Sequence, residues 1–387
     1  MSDSLIDRVR ERLVAESGRI RPAAVAAAIR AESGGLLGDT EVLSNLRLLE
    51  TELTGAGVLD SLLAGDDVTD VLVTSPAEVW IDDGNGLHRS GIRFTDEAAV
   101  RRLAQRLAIA AGRRLDDAQP WVDGFLGGLG SGRFGVRLHA VLPPIAAAGT
   151  CISLRVLRPA TLDLTALAAA GALAPQAARL LDQIITARLA FLVSGGTGAG
   201  KTTVLAAMLG AVPAGERILC VEDAPELAPP HPHLVRLVAR AANVEGIGEV
   251  TLRDLVRQAL RMRPDRLIVG EVRGAEVVDL LSALNTGHAG GAGTVHANSP
   301  AEVPPRLEAL GALGGLDRDA LHSQLAAAVQ AVVHVSRGPD GRRVEQIAVL
   351  GRDAAGCVAA FPVWHVDKGT LDAAPMLREI ISDRGGQ

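Results

Sequence analysis

The sequence predicts an α/β protein: a mostly parallel, doubly wound sheet carrying a phosphate-binding loop, preceded by a smaller α+β domain and an N-terminal helical segment. Three observations predict it. Residues 194–203 read "SGGTGAGKTT", apolar strand-like runs alternate with helical ones from about residue 188, and short alternating strands surround one long helical pattern before residue 158.

Residues 1–57 predict a helical segment, because "SLIDRVRERLVAES", "RPAAVAAAIRAES" and "DTEVLSNLRLLETELTGAG" place apolar residues at helical spacing between Gly- and Ser-containing breaks. Residues 58–158 predict the α+β domain. "VTDVLVTSPAEVWIDDGNGLHRSGIRF" alternates around the Asp83–Gly86 turn, "DEAAVRRLAQRLAIAAG" is helical, and "GRFGVRLHAVLPP" and "TCISLRVLRP" read as two further strands. The low-polarity stretch 159–178 is expected to be a connector and hinge. Residues 179–387 then alternate: "LAFLVS", the loop and its helix, "RILCVED", "TLRDLVRQALRM", "RLIVGEV", "AEVVDLLSALNTG" and "GAGTVHA", with a hairpin expected in "AVVHVSRGPDGRRVEQIAVL".

Composition narrows the function classes. Among 387 residues, aromatics make up 2% with no Tyr, so platforms for stacking single-stranded bases are scarce. Lys and Arg number 39 against 45 Asp and Glu, a net charge of −6, so the whole molecule has no long-range attraction for a polyanion. No specific nucleic acid is expected as a partner. Three scattered cysteines contain no C-x-x-C pair, which argues against a disulfide framework or a thiolate zinc site and for a reducing cytoplasm. No apolar run reads as a spanning helix, so membrane association is expected to be peripheral, through partners.

The loop carries the chemistry. Gly195, four residues, then Gly200, Lys201 and Thr202 is the phosphate-cradle spacing, with a buried strand before it and a helix after it. Glycines let the backbone N–H groups of Gly195, Gly196, Thr197, Gly198, Ala199, Gly200, Lys201, Thr202 and Thr203 curl around phosphate oxygens at a helix N-terminus. Lys201 is expected to reach the outer phosphates, and the Thr202 hydroxyl to hold Mg²⁺. The other reading is a glycine-rich turn that binds nothing.

Two acidic strand ends converge on the same edge. "RLIVGEV" delivers Glu271, able to hold Mg²⁺ or orient water, and "RILCVED" delivers Glu222 and Asp223 to the same crevice, so that one strand-end acid can hold the metal while the other polarises water. Glu226 reads as a helix-end or surface charge. In "NTGHAGGAGTVHANS", His288 and His296 lie at the two ends of a loop-strand unit, either as sensors of the terminal phosphate or as satisfied structural histidines. Arg253, Arg257 and Arg261 form a basic row on one helix face, a solvated surface or a contact to a neighbouring subunit.

Taken together, "GGTGAGKTT", "VEDAPEL", "VEGIGEVTLRDLVRQALRMRPDRLIVGEVRGAE" and "NTGHAGGAGTVHANSP" resemble, in order, the Walker A, Asp-box, Walker B and His-box segments of the type II/type IV secretion ATPase superfamily. The branch most resembled is that of the CpaF-like Tad/Flp pilus-assembly ATPases. The resemblance implies a RecA-like domain in a homo-hexameric ring on the cytoplasmic face of the inner membrane. It also implies hydrolysis of ATP with Mg²⁺ and docking on an inner-membrane platform protein. By the same resemblance, Arg137 and Arg155 of the N-terminal domain are the arginines lent to the nucleotide. The rival readings are a RecA-like DNA translocase of a conjugation-type system and a non-hydrolytic, nucleotide-dependent scaffold.

Overall fold

The computed structural model describes Ala31 and residues 55–385, apart from 85, 128, 130–133, 244 and 339–340. The helical segment expected over 1–57 falls almost entirely outside the described residues. The chain divides into two units, 1–158 and 159–387.

In the first unit, period-two alternation turns one face of an antiparallel sheet inward. A short helix α1 (Asp60–Leu63) leads into β1 (Asp70–Ser75), β2 (Glu78–Asp82), β3 (Leu87–Arg89), α2 (Glu97–Ala110), β4 (Trp121–Leu126), β5 (Gly135–Val141) and β6 (Cys151–Leu157). The strand order is β3-β2-β1-β6-β5-β4. On α2, Val100, Leu103, Ala104, Leu107 and Ala108 are buried at i, i+3, i+4, i+7 and i+8, the stripe that packs a helix on a sheet. The helix starts firmly: Asp96 caps the Ala99 N–H at 2.7 Å, and Glu97 accepts from the Thr150 N–H and hydroxyl at 2.7 and 2.6 Å. Val136, Leu138, Ile152 and Leu154 supply the sheet side of this core.

The second unit follows a different rule. Its central strands are buried from end to end, because helices cover both faces of a parallel sheet. In order come α3 (Leu164–Ala169), α4 (Pro175–Thr186), β7 (Phe191–Ser194), α5 (Lys201–Gly210), β8 (Ile218–Glu222), β9 (Leu234–Val238), α6 (Leu252–Ala259), β10 (Arg266–Val272), α7 (Glu276–Asn285) and β11 (Ala292–Val295). They are followed by α8 (Val303–Leu313), α9 (Arg318–Ala328), β12 (Ala331–Gly338), β13 (Gly341–Arg352), β14 (Val358–His365), β15 (Gly369–Thr370) and α10 (Ala374–Gly385). The sheet order is β15-β14-β13-β12-β7-β11-β10-β8-β9, parallel from β12 to β9 and antiparallel beyond β12. Alternate residues feed two cores. Phe191, Val193, Ile218, Cys220 and Ile268 join the layer of α4 and α5, while Leu192, Leu219, Val221, Leu267 and Val269 join the layer of α6 to α9.

The stretch expected as a connector is structured. Residues 159–178 hold α3, capped by Asp163 on the Ala166 N–H at 2.7 Å, and the first turn of α4. Leu167, Leu173 and Ala177 are buried in the α4–α5 layer. Low polarity here serves core packing, and the join to the first unit narrows to the residues around Arg158 and Pro159.

Leu181, fully buried on α4, tests that layer. Leu181→Ala is expected to cost about 2–5 kcal/mol, measured as a lowered urea midpoint of the second unit's transition in the full chain; a loss under about 0.5 kcal/mol would contradict the packing.

Candidate functional site

Between the end of β7 at Ser194 and the start of α5 at Lys201, glycine is required at three places for two reasons. A Cβ on Gly195 would sit 2.4 Å from the Val335 carbonyl oxygen, so the loop runs too close to β12 for a side chain. Gly198 and Gly200 have φ of +69° and +99°, the left-handed region that favours glycine. Gly196, Thr197 and Gly198 are exposed and Ala199 is buried, so the loop turns its backbone outward over a packed floor. Thr202 and Thr203 follow in the first turn of α5, half-buried.

Lys201 is only 8% exposed. Its Nζ donates to the carbonyls of Gly195 and Gly196 at 3.0 and 2.9 Å and lies 3.3 Å from His296 Nε2. Burial lowers its pKa, while the negative charges of Glu271 and Glu226 oppose that shift. Both carboxylates therefore lie within electrostatic reach of the Lys201 ammonium.

The neighbours arrive by strand register. β11 pairs in parallel with β7, Val295 opposite Ser194, and with β10, Val272 opposite Val295. His296, the residue after β11, thus stands beside Glu271 near the end of β10, with His296 Nε2 2.7 Å from Glu271 Oε1. Lys201, His296 and Glu271 form one chain of contacts at the carboxyl edge of the sheet, the edge at which open α/β sheets bind ligands.

Glu222 is placed differently from the water-polarising position expected for it. It ends β8, is 3% exposed, and accepts from the N–H groups of Leu227 and Glu226 at 2.8 and 3.1 Å through Oε1, so it caps the loop 223–227. Oε2 is buried with no hydrogen-bond partner among the described residues. Burial raises its pKa to about 7 against the pull of those two N–H groups. Its stem fills the space over Gly270, where a Cβ would meet Glu222 Cγ at 2.8 Å. The capped loop also holds the start of the unit: Leu227 bridges Ala160, and the Ala160 N–H donates to the Glu226 carbonyl at 3.2 Å.

His288 is not brought to the loop. Its Nδ1 lies 3.1 Å from the Ala283 carbonyl at the end of α7, ahead of β11, and the four residues of that strand span about 13 Å to the opposite edge. Of the two histidines only His296 reaches Lys201. Arg137 and Arg155 belong to the first unit. They are register partners on β5 and β6, directly opposed on the sheet face away from α2, and each is balanced by an outer acid: Arg137 by Asp123 and Arg155 by Asp70, both at 2.9 Å. In the basic row, Arg253 and Arg257 both bind Asp279 of α7, at 2.6 and 3.1 Å, so two of its three charges are engaged within the unit.

Glu226, read from the sequence as a helix-end or surface charge, and His334, which the sequence reading missed, also take part. Glu226 acts electrostatically on Lys201. His334, buried on β12 in register with Ser194, places Nδ1 2.9 Å from Ser194 Oγ, and burial holds its pKa down. This polar pair lies directly beneath the loop; its only sequence signal is one imidazole inside the apolar run "AVVHVS".

These residues fit a magnesium nucleotide. The exposed backbone of 196–198 and the buried ammonium match a polyphosphate, and Thr202 with Glu271 offers the sparse oxygen set that suits an ion completing its shell with phosphate and water.

Fold and loop together define a RecA-like P-loop domain preceded by an α+β domain. Similarity to known proteins places the chain further. The sequence profile of the type II/IV secretion system protein family matches residues 52–360, and the chain belongs to that family. It is 74% identical over 350 residues, 90% of this chain and 99% of the relative, to a putative conjugal transfer protein of Mycobacterium tuberculosis H37Rv. It is 31% identical over 323 residues to the type IV secretion system protein PtlH of Bordetella pertussis, covering 75% of this chain and 92% of that one. Among solved structures it is similar in fold to the Legionella pneumophila ATPase DotB, with TM-score 0.52, 17% identity, and 89% and 87% of the two chains covered. The fold is also similar to that of the pilus retraction motor PilT with bound ADP, at TM-score 0.50, 20% identity and 82% and 83% coverage. Among the described residues no helix is long and apolar enough to cross a membrane.

The raised pKa of Glu222 makes a stability prediction. The unfolded carboxyl ionises near 4.5 and the folded one near 7, so the folded chain holds the extra proton between those values and this group's stabilising contribution falls as pH rises through that window. Glu222→Gln keeps an acceptor for the two N–H groups and removes the titration. It is expected to flatten the stability loss between about pH 4.5 and 7, by up to about 3 kcal/mol, read from urea midpoints; an unchanged pH slope would refute the assignment.

Proposed function

We propose that this chain is an ATP-hydrolysing, homo-hexameric motor at the cytoplasmic face of the inner membrane. It powers Tad/Flp-type pilus assembly or type II/IV secretion through an inner-membrane platform protein. One observation carries the reading: Lys201, His296 and Glu271 are in contact at the open edge of the phosphate loop. Binding alone needs the loop and the lysine. A half-exposed carboxylate held by an imidazole beside them is what hydrolysis adds.

In this reading the loop amides and Lys201 hold the β- and γ-phosphates; the Thr202 hydroxyl, with Glu271 through an intervening water, would hold Mg²⁺, which would neutralise phosphate charge. Glu271 orients a water for in-line attack and takes its proton; the bond between the γ-phosphorus and the bridging oxygen breaks, leaving ADP and inorganic phosphate. His296 fixes the carboxylate and responds when the terminal phosphate leaves. Glu222 positions the acidic loop 223–227, which presents Glu226 to Lys201 and is tied to Ala160, so nucleotide state is felt where the chain passes between its units. Arg137 and Arg155 add positive charge to the nucleotide, exchanging their aspartates for phosphate.

The conjugation-type reading is favoured by the similarity to the putative conjugal transfer protein of Mycobacterium tuberculosis. It predicts an ATPase stimulated by DNA in a salt-dependent manner, whereas the leading reading predicts none; tight ATP binding without phosphate release would favour the scaffold.

Lys201→Ala is expected to weaken ATP binding at least tenfold, and Glu271→Gln to leave binding within about threefold of wild type while lowering kcat by 100-fold or more. Malachite-green phosphate release and fluorescent-nucleotide titration measure the two. Glu271→Gln protein turning over at the wild-type rate would remove Glu271 from its role.

A further inference from the structure

The hairpin of β12 and β13 lies against the phosphate loop on the side away from the acids. β7 has β11 on one flank, leading to His296 and Glu271, and β12 on the other. From this second flank Arg342 crosses onto the loop: a Cβ on Gly200 would lie 3.4 Å from Arg342 Cδ and 3.9 Å from its Cβ. The stem of Arg342 therefore packs on the residue that caps α5. Its guanidinium is exposed, and no hydrogen bond or ion pair with another described residue occupies it.

We propose that Arg342 is a nucleotide-binding residue acting in cis, a fork that grips the inner, α-phosphate side of the nucleotide at Gly200. This rests on the reading of the loop as a nucleotide site. The terminal phosphate lies at the Lys201–His296–Glu271 flank, so the opposite flank faces the part of the polyphosphate that ATP and ADP share. Arg342 thus contributes to affinity without discriminating substrate from product and takes no part in the chemical step. A planar guanidinium with several N–H donors suits two phosphate oxygens at once, as a single ammonium does not.

The test is Arg342→Met in the full chain, which keeps an unbranched stem on Gly200 and removes the charge, with Arg342→Lys beside it. Binding of fluorescent ATP and ADP analogues and the KM and kcat for ATP are measured, with circular dichroism to confirm folding. Arg342→Met is expected to weaken ATP and ADP by the same factor, about tenfold, to raise KM likewise and to leave kcat within twofold; Arg342→Lys recovers part of the loss. Unchanged affinity in a folded Arg342→Met protein overturns the proposal, and so does a loss confined to ATP or to kcat. Wild-type protein that binds neither analogue overturns the nucleotide reading itself and this proposal with it, whereas wild-type binding with no effect of Arg342→Met overturns the proposal alone. Should Arg342→Met misfold, Arg342→Gln gives the same reading on a polar stem.

Discussion

The parallel pairing of β11 between β7 and β10 is the constraint on which the rest of the site depends. Setting Val295 opposite Ser194 and Val272 opposite Val295 brings three side chains, remote in sequence, to one edge. Parallel strands need a crossover of a dozen or more residues between them, and the chain supplies α7 and a glycine-rich turn. A shift of one residue in this register would swap the faces of β11 and carry His296 away from both Lys201 and Glu271. The glycines of β11 and its turn make that pairing tight: a Cβ on Gly293 would meet the Val269 carbonyl at 3.0 Å, and one on Gly291 the Leu267 carbonyl at 2.7 Å.

Around that register the electrostatics are set by burial more than by charge pairing. Lys201 is desolvated and its ammonium is held by two backbone carbonyls, which have no proton to give up. Glu222, His334 and Lys201 each have their charged form disfavoured by desolvation as the largest cause. Their shifts thus have opposite directions, up for the acid and down for the bases, as burial requires. The site is in this sense short of compensating charge, the condition in which an incoming polyanion and its cation are most strongly felt.

Much of this was legible in residues alone. The loop spacing, the strand ending in Glu271 and the strand leading to His296 are local patterns, and each occurs where its pattern places it. What local pattern could not separate was which end of a strand a residue occupies relative to the ligand: His288 and His296 look equivalent in "GHAGGAGTVHA", yet the direction of β11 sends them to opposite edges. Glu222 was legible as a strand-end acid but not as a loop cap, since the partners of its carboxylate are the N–H groups of Leu227 and Glu226, and N–H groups leave no trace in side-chain chemistry. The same holds for β9, which is preceded by prolines and half exposed, and for the packed helices of 159–178, whose alanines and leucines read equally well as a bland connector.

The bridge between Ala160 and Leu227 has a mechanical meaning. Arg158 is fastened to the first unit through the carbonyls of Gly65 and Val68 at 2.7 and 3.1 Å, and only Pro159, whose ring removes one backbone rotation, separates it from Ala160. The backbone is thus pinned by hydrogen bonds on both sides of Pro159, by Arg158 in the first unit and by Ala160 in the second, so a single proline ring is all the chain left unanchored there.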